Sequence, residues 1–358
     1  MSELSIICKC FRRQLTGALA TGLLMVLGGA AHAQSGAAPT TMVVETFGGE
    51  LGATIKAVYV PFEKKFNVSI RWVPGSSSAE NVARIAATKD KPEIDLAFGD
   101  SMSFYVGSAQ GLWAKIDPSI VTLYKNQAPK ALVPTDDVMN IGFWLTGFFY
   151  QYKEFAKQGW KPPTSWDDMF RPEFCGRVGL LDPNVSYGLH AVLMLGGGDP
   201  ANIKDAIAKL AAHKKCITVL EPTTAQLDQK AESGDDLIGA TGNIRALPVM
   251  KKGAPIRFVI PEPGSLVGTT TVAAVKNGPH PKLAQEFLNW ALLPESQVLL
   301  MNRAFYGPTN MTVAVPPELA EMGVPDAKAL ERAKPISDKI VYDNRRAWIR
   351  EIQRATEH

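Results

Sequence analysis

The chain has 358 residues and carries 38 Lys and Arg against 35 Asp and Glu, a formal charge of +3, with 46% hydrophobic side chains. That is enough for two domains of roughly 100–200 residues each, with apolar content for a proper core. So small a charge, with no Lys/Arg-dense stripe, gives no nucleic-acid grip, and 25 prolines and 30 glycines spread along the chain exclude collagen, coiled coil and a disordered tail.

Residues 1–33 read as an address rather than as structure. Lys9, Arg12 and Arg13 precede an apolar run from Leu15 to Ala31, and Ala31-His32-Ala33 supplies the small-x-small ending. This is the layout of a secretory leader, with cleavage expected after Ala33 and the mature protein exported. The run is rich in Gly and Ala, whereas a spanning helix needs ~20 strongly apolar residues. Arg12-Arg13 leaves a twin-arginine route open beside the general one. Losing the leader removes Cys8 and Cys10 and leaves Cys175 and Cys216. Two cysteines in an oxidising compartment are most simply a disulfide.

From Met42 the pattern is regular. Met42–Phe47 reads as a strand, Leu51–Phe66 as a helix, Val68–Trp72 as a strand, Ala79–Thr88 as a helix and Ile94–Phe98 as a third strand. This is the spacing of βαβ units and predicts a parallel sheet. Residues 134–150 read as an extended crossing to a second half. There Arg177–Leu181 is a strand, and a helix over 201–212 puts Ile203, Ala206, Ile207 and Leu210 on one face. Short strands follow at Cys216–Leu220, Asp236–Ala240 and Arg257–Ile260, continuing the parallel series. Glu262–Ala274 reads as the return crossing.

Open parallel sheets bind ligands beyond the carboxyl ends of their strands. In the first half those positions hold Phe47-Gly48-Gly49, Ser76-Ser77-Ser78 after Gly75, and Asp100-Ser101 after Gly99. In the second half they hold Ser186-Tyr187, Glu221-Pro222-Thr223-Thr224, and Thr241 with Asn243, followed by Arg245. Most open a helix, where free N–H groups suit carboxylate, phosphate or neutral oxygen; the same residue types also serve as simple N-caps.

Catalytic motifs are missing. There is no G-x-S-x-G, HExxH, P-loop or paired CxxC. Gly196-Gly197-Gly198 follows a helical stretch and reads as its terminator. His190 sits in an apolar run and reads as a packed core residue, and neither His213 nor His280 has a partner at zinc spacing. No metal and no cofactor is expected. An exported enzyme is the remote alternative.

The residues from Pro163-Thr164-Ser165-Trp166 through Pro172-Glu173-Phe174-Cys175-Gly176-Arg177-Val178 resemble a segment of the periplasmic solute-binding proteins of ABC importers, in the spermidine/putrescine, ferric-iron and thiamine group. Ala109–Trp113, Ala284–Leu300, Tyr306–Asn310 and Asn344–Trp348 resemble the same family. The resemblance implies a two-lobed α/β periplasmic-binding-protein fold of type II, each lobe an open, mainly parallel sheet flanked by helices, with a hinge between the lobes. It implies closure of that hinge on a small ligand and docking on an inner-membrane permease by a chain that does not span the membrane. The expected division is 41–141 with 266–312 as lobe 1, and 142–265 with 313–358 as lobe 2, in a monomer. Polyamine receptors carry Trp-x-Asp after an E-x-G turn; here Glu262-Pro263-Gly264 is followed by Val267 and Thr269 at those places. Burying a polycation without acids is costly. The expected binding set therefore adds Glu262, Thr269 and Thr270 to the turns above, with Arg245 facing a carboxylate or phosphonate. The expected ligand is an anionic or zwitterionic small organic solute, with a polyamine as the alternative, and thiamine or Fe(III) behind it.

Overall fold

The computed structural model describes residues 38–127, 135–262 and 264–357. The leader expected at residues 1–33 lies outside them. In chain order the first half comprises β1 (Thr40–Phe47), α1 (Gly49–Phe66), β2 (Val68–Gly75), α2 (Ser78–Ala87), β3 (Leu96–Asp100) and α3 (Ser101–Ala109). The long strand β4 (Met139–Gln151) leads through α4 (Tyr152–Gln158) into β5 (Val178–Leu181), α5 (Ser186–Leu195), α6 (Ile203–Ala212), β6 (Ile217–Glu221), α7 (Thr224–Ser233), β7 (Ile238–Gly242), α8 (Asn243–Lys251) and β8 (Ile256–Val259). The chain returns in β9 (Val267–Ala274), then α9 (Pro281–Ala291), α10 (Pro294–Ala304), the short β10 (Gly307–Pro308), α11 (Pro317–Met322), α12 (Ala327–Arg332) and α13 (Asp338–Thr356).

The sheet order is β2-β1-β3-β9-β4-β7-β5-β6, with β10 and β8 also paired to β4. Strands β2, β1 and β3 are parallel, as are β7, β5 and β6. Both sets meet the antiparallel centre made by β9 and β4. Residues Met139–Leu145 of β4 pair with β9, while Thr146–Tyr150 pair with β7. One strand therefore serves both lobes, its partners changing between Leu145 and Thr146. Its near-continuous burial is what a strand covered on both faces requires.

One expectation is corrected. The strand predicted at Arg257–Ile260 forms as β8, but its hydrogen-bonded neighbour is β4, antiparallel, and not another member of a parallel series. It runs in the same sense as β7, and β4 lies between them. The central strand takes the place that a parallel neighbour would fill.

The helices follow from their apolar spacing. Ile55, Val58, Tyr59 and Phe62 lie on one face of α1 and are buried; Tyr59 packs at 4.6 Å from Phe287 of α9 and 5.7 Å from Phe98 of β3, between ring centroids. In α6, Ile203, Ala206 and Leu210 are buried, and Ile207 packs at the edge of the same core. Helix α5 stops at Gly196, and Gly197 and Gly198 both adopt positive φ. Glu45 breaks the apolar pattern of β1. Its carboxyl is buried, 3.4 Å from Arg84, and burial pushes it up to about 7 despite that guanidinium.

Cys175 and Cys216 form a disulfide across 41 residues, tying the segment before β5 to the start of β6. By the chain-entropy argument, closing that loop stabilises by about 4 kcal/mol. Replacing both cysteines with serine is expected to lower the unfolding free energy by about that amount, measured by denaturant unfolding.

Candidate functional site

Two of the polar turns and a stretch of β9 converge on one cleft between the lobes. Asp100-Ser101 comes from the end of β3, Ser186-Tyr187 from the start of α5, and Thr269-Thr270 from β9. The inner part of the cleft has a volume of about 60 Å³, and its polar lining includes Asp100, Ser101, Ser186, His190 and Thr269. Trp144 of β4 lines both this part and an adjoining one of about 170 Å³, where Phe47, Ser78, Tyr187, Thr270 and Tyr306 gather.

The remaining predicted residues stand elsewhere. Gly48 and Gly49 form the turn into α1, Gly49 with φ +63°. Ser77 caps α2 by accepting from the Glu80 N–H, and Ser76 donates its backbone N–H to the Glu80 carboxylate at 2.9 Å. Thr241 is buried. Asn243 is a fastener: it accepts from the Leu145 N–H at 3.0 Å and donates to the Phe305 carbonyl at 2.7 Å. Arg245 pairs with Asp228 outside the two parts just described. Glu262 is exposed, 3.7 Å from Arg332.

The structure adds groups that the sequence reading left out. Helix α13 crosses the cleft and contributes Asp338, Val341 and Arg345 to the inner part. Its later turns are seated in the lobe 2 core through Trp348 and Ile352, and Gln353 donates to Asp182 at 3.1 Å. Its first turn meets lobe 1, where Ser101 Oγ donates to Asp338 at 2.9 Å. Arg345 donates to the Asn184 carbonyl and approaches Met102 Sδ at 3.6 Å. No local spacing signals this, because α3 and α13 lie more than two hundred residues apart in the chain.

His190 was expected in the core; it instead forms part of the cleft wall. Its ring stacks on Trp144 at 5.3 Å, and Nδ1 lies 3.3 Å from Thr146 Oγ1. Burial, reinforced by the Arg345 charge, pushes it down to about 4, so the imidazole is neutral at pH 7. Burial pushes Asp338 up to about 6; the Ser101 hydroxyl opposes this and the nearby Asp100 carboxylate adds to it. Burial also lowers Arg345, with Asp100 offsetting part of the effect. The cleft thus combines a guanidinium, two carboxyls, a neutral imidazole, hydroxyls and an indole wall. Thr269 Oγ1 is buried there without a hydrogen-bond partner among the described residues. Among those residues no group of three or more His, Cys, Asp or Glu is placed to hold a metal ion, and no helix is long and apolar enough to cross a membrane.

The sequence profile described as bacterial extracellular solute-binding protein matches residues 57–326. The gamma-aminobutyric acid-binding protein of Pseudomonas aeruginosa is 27% identical over 339 residues, covering 89% of this chain and 91% of that protein. The spermidine/putrescine-binding periplasmic protein of Escherichia coli is 23% identical over 299 residues, covering 77% and 83%. A crystal structure of an ABC transporter substrate-binding protein from Bradyrhizobium japonicum superposes with a TM-score of 0.75 at 22% identity, covering 89% of this chain and 100% of that one.

The indole is held by a close approach. A Cβ on Gly268 would lie 2.0 Å from the Trp144 ring, so any side chain there displaces the cleft wall. Gly268→Ala is expected to destabilise the protein by about 1–3 kcal/mol, as overpacking does, and to weaken solute binding; denaturant unfolding and calorimetry check the two effects.

Proposed function

This chain belongs to the bacterial extracellular solute-binding protein family, and from that premise we propose that it is a periplasmic receptor whose interlobe cleft takes a small zwitterionic amino acid. It is a solute-binding protein of the ABC importer family; on our reading it is exported, loses its leader near Ala33, and acts as a monomer that delivers its solute to an inner-membrane permease. The observation that carries the ligand reading is the meeting of Arg345 with Asp100 and Asp338 around one cavity of about 60 Å³. A carboxylate on the guanidinium and an ammonium on the acids, with the Trp144 face beside it, use both signs of charge. Thr269 Oγ1 supplies a further hydrogen bond. The name of the Pseudomonas relative supports this reading, since gamma-aminobutyric acid carries one group of each sign.

A polyamine is the second reading, favoured by the two acids and by the name of the Escherichia coli relative. Arg345 in the same cavity opposes a ligand with only positive charge. Binding is the role these groups support. Membership of a solute-binding family supports reading the chain as a receptor and not an enzyme.

Calorimetric titration with gamma-aminobutyrate, putrescine and spermidine separates the readings. Saturable binding of the amino acid, weakened roughly 10- to 100-fold by Arg345→Ala, is the expected result, since a charge-assisted hydrogen bond contributes about 1.5–3 kcal/mol. Polyamine binding that improves in Arg345→Ala would overturn it. The pH dependence follows from Asp338. An ammonium group favours the ionised carboxylate, whose protonation is centred near 6. Affinity is therefore expected to rise as pH goes from 5 to 7. Over that range Arg345 stays charged, His190 stays neutral, and Asp100 faces the same site. Asp338→Asn is expected to flatten the profile and lower affinity at pH 7.

A further inference from the structure

Arg245 lies in a separate compartment of about 270 Å³ on the other side of Tyr187. Thr54 of α1 and Arg303 of α10 stand on its lobe 1 side; Thr224, Asp228 and Glu232 of α7, Arg245 of α8 and Lys252 just after it stand on its lobe 2 side, three cations against two carboxylates. Leu51, Tyr187 and Ile244 line both this compartment and the part of the cleft that holds Phe47 and Tyr306, and so form a partition between them. Neither Arg245 nor Arg303 lines the cavity around Trp144.

Arg245 is only partly satisfied. One terminal nitrogen donates to Asp228, whereas its Nε–H is sealed from solvent with no acceptor among the described residues. A guanidinium presents donors in a rigid planar fork that matches the paired oxygens of a carboxylate or phosphate. The side chain as a whole is 33% exposed, so an incoming oxygen meets the accessible part of the guanidinium rather than the sealed Nε. The second guanidinium, Arg303, faces the same space from the opposite lobe. A group bound between them would touch both lobes at once. Asp228 tempers the site, because it competes for Arg245, and burial already raises its own carboxyl despite that partner.

We propose that this compartment is an anion subsite of the cleft, accepting a carboxylate or phosphate group between Arg245 and Arg303. It is independent of the zwitterion reading, because its charged groups are not those of the inner cavity. A solute with a second acidic group long enough to pass Tyr187 would occupy both.

The test is calorimetric titration of the protein with inorganic phosphate and, separately, with succinate, at fixed ionic strength. Saturable binding of either is expected, the stronger one identifying which oxyanion the compartment prefers. Arg303→Gln is expected to weaken that binding at least tenfold. This side chain is exposed, so the variant does not disturb the core, whereas Arg245→Gln would strip Asp228 of its partner. Asp228→Asn removes the competing carboxylate and is expected to strengthen anion binding severalfold. Arg345→Ala is expected to leave it unchanged while weakening amino-acid binding as above. Absence of saturable binding, or binding indifferent to both Arg303→Gln and Asp228→Asn, would overturn the proposal. Loss of anion binding in Arg345→Ala would place the oxyanion in the inner cavity and overturn it as well. Failure of gamma-aminobutyrate to bind, with phosphate binding intact, would remove the zwitterion reading alone.

Discussion

The shared strand β4 is the constraint from which the rest of the molecule follows. A buried backbone must satisfy its N–H and C=O groups, and β4 does so by pairing with β9 along its first half and with β7 along its second. The lobes are therefore joined through a load of main-chain hydrogen bonds and not through a loose linker. Where the partners change, the Ser265 hydroxyl donates to the Thr146 carbonyl, and Lys334 donates its N–H to the Ser265 carbonyl at 2.7 Å. These contacts tie the crossing segments together where β4 changes partners. Trp144 sits one residue before Leu145 on the same strand, so the element that joins the lobes also builds the wall of the cleft between them.

Helix α13 supplies the other half of the site. Its Trp348 and Ile352 belong to the lobe 2 core, while Asp338 reaches the Ser101 hydroxyl of lobe 1. Its charged residues would cost little on a solvated face. Drawn between the lobes, they change character: Asp338 becomes hard to ionise, Arg345 loses part of its hydration, and His190 is held neutral. Such perturbed groups gathered in a cleft mark a functional site. Here they also lower the charge that an incoming solute must offset.

Much of the fold was legible because it rests on local rules. Strands β1, β2, β5, β6 and β7 announce themselves as short segments at regular spacing and helices α1, α2 and α6 through the period-3.6 pattern, and each forms close to its expected bounds. The extended crossing was legible from its aromatic-rich stretches Ile141–Trp144 and Phe148–Tyr150. Cys175 and Cys216 pair as expected. The neighbour of β8 was not legible, because hydrogen-bonding order in a sheet is set by which strands compete for a central edge, and no single strand encodes that.

The site divides along the same line. Polar turns at the carboxyl ends of parallel strands could be named from sequence, since strand direction alone sends them to one edge of the sheet; Ser78, Asp100, Ser101, Ser186 and Tyr187 line the cleft. Which of those turns face the solvent, as Ser76 and Ser77 do, and which reach the cavity depends on how the lobes approach. Asp100 could be named from its turn, but the cleft's other charges, Asp338 and Arg345, come from a helix near the end of the chain. Period and composition determined the elements and their polar ends, because those are interactions between near neighbours. Only tertiary packing decided which arginine enters the inner cavity, because a charge acquires its partners and its desolvation from residues far away in sequence.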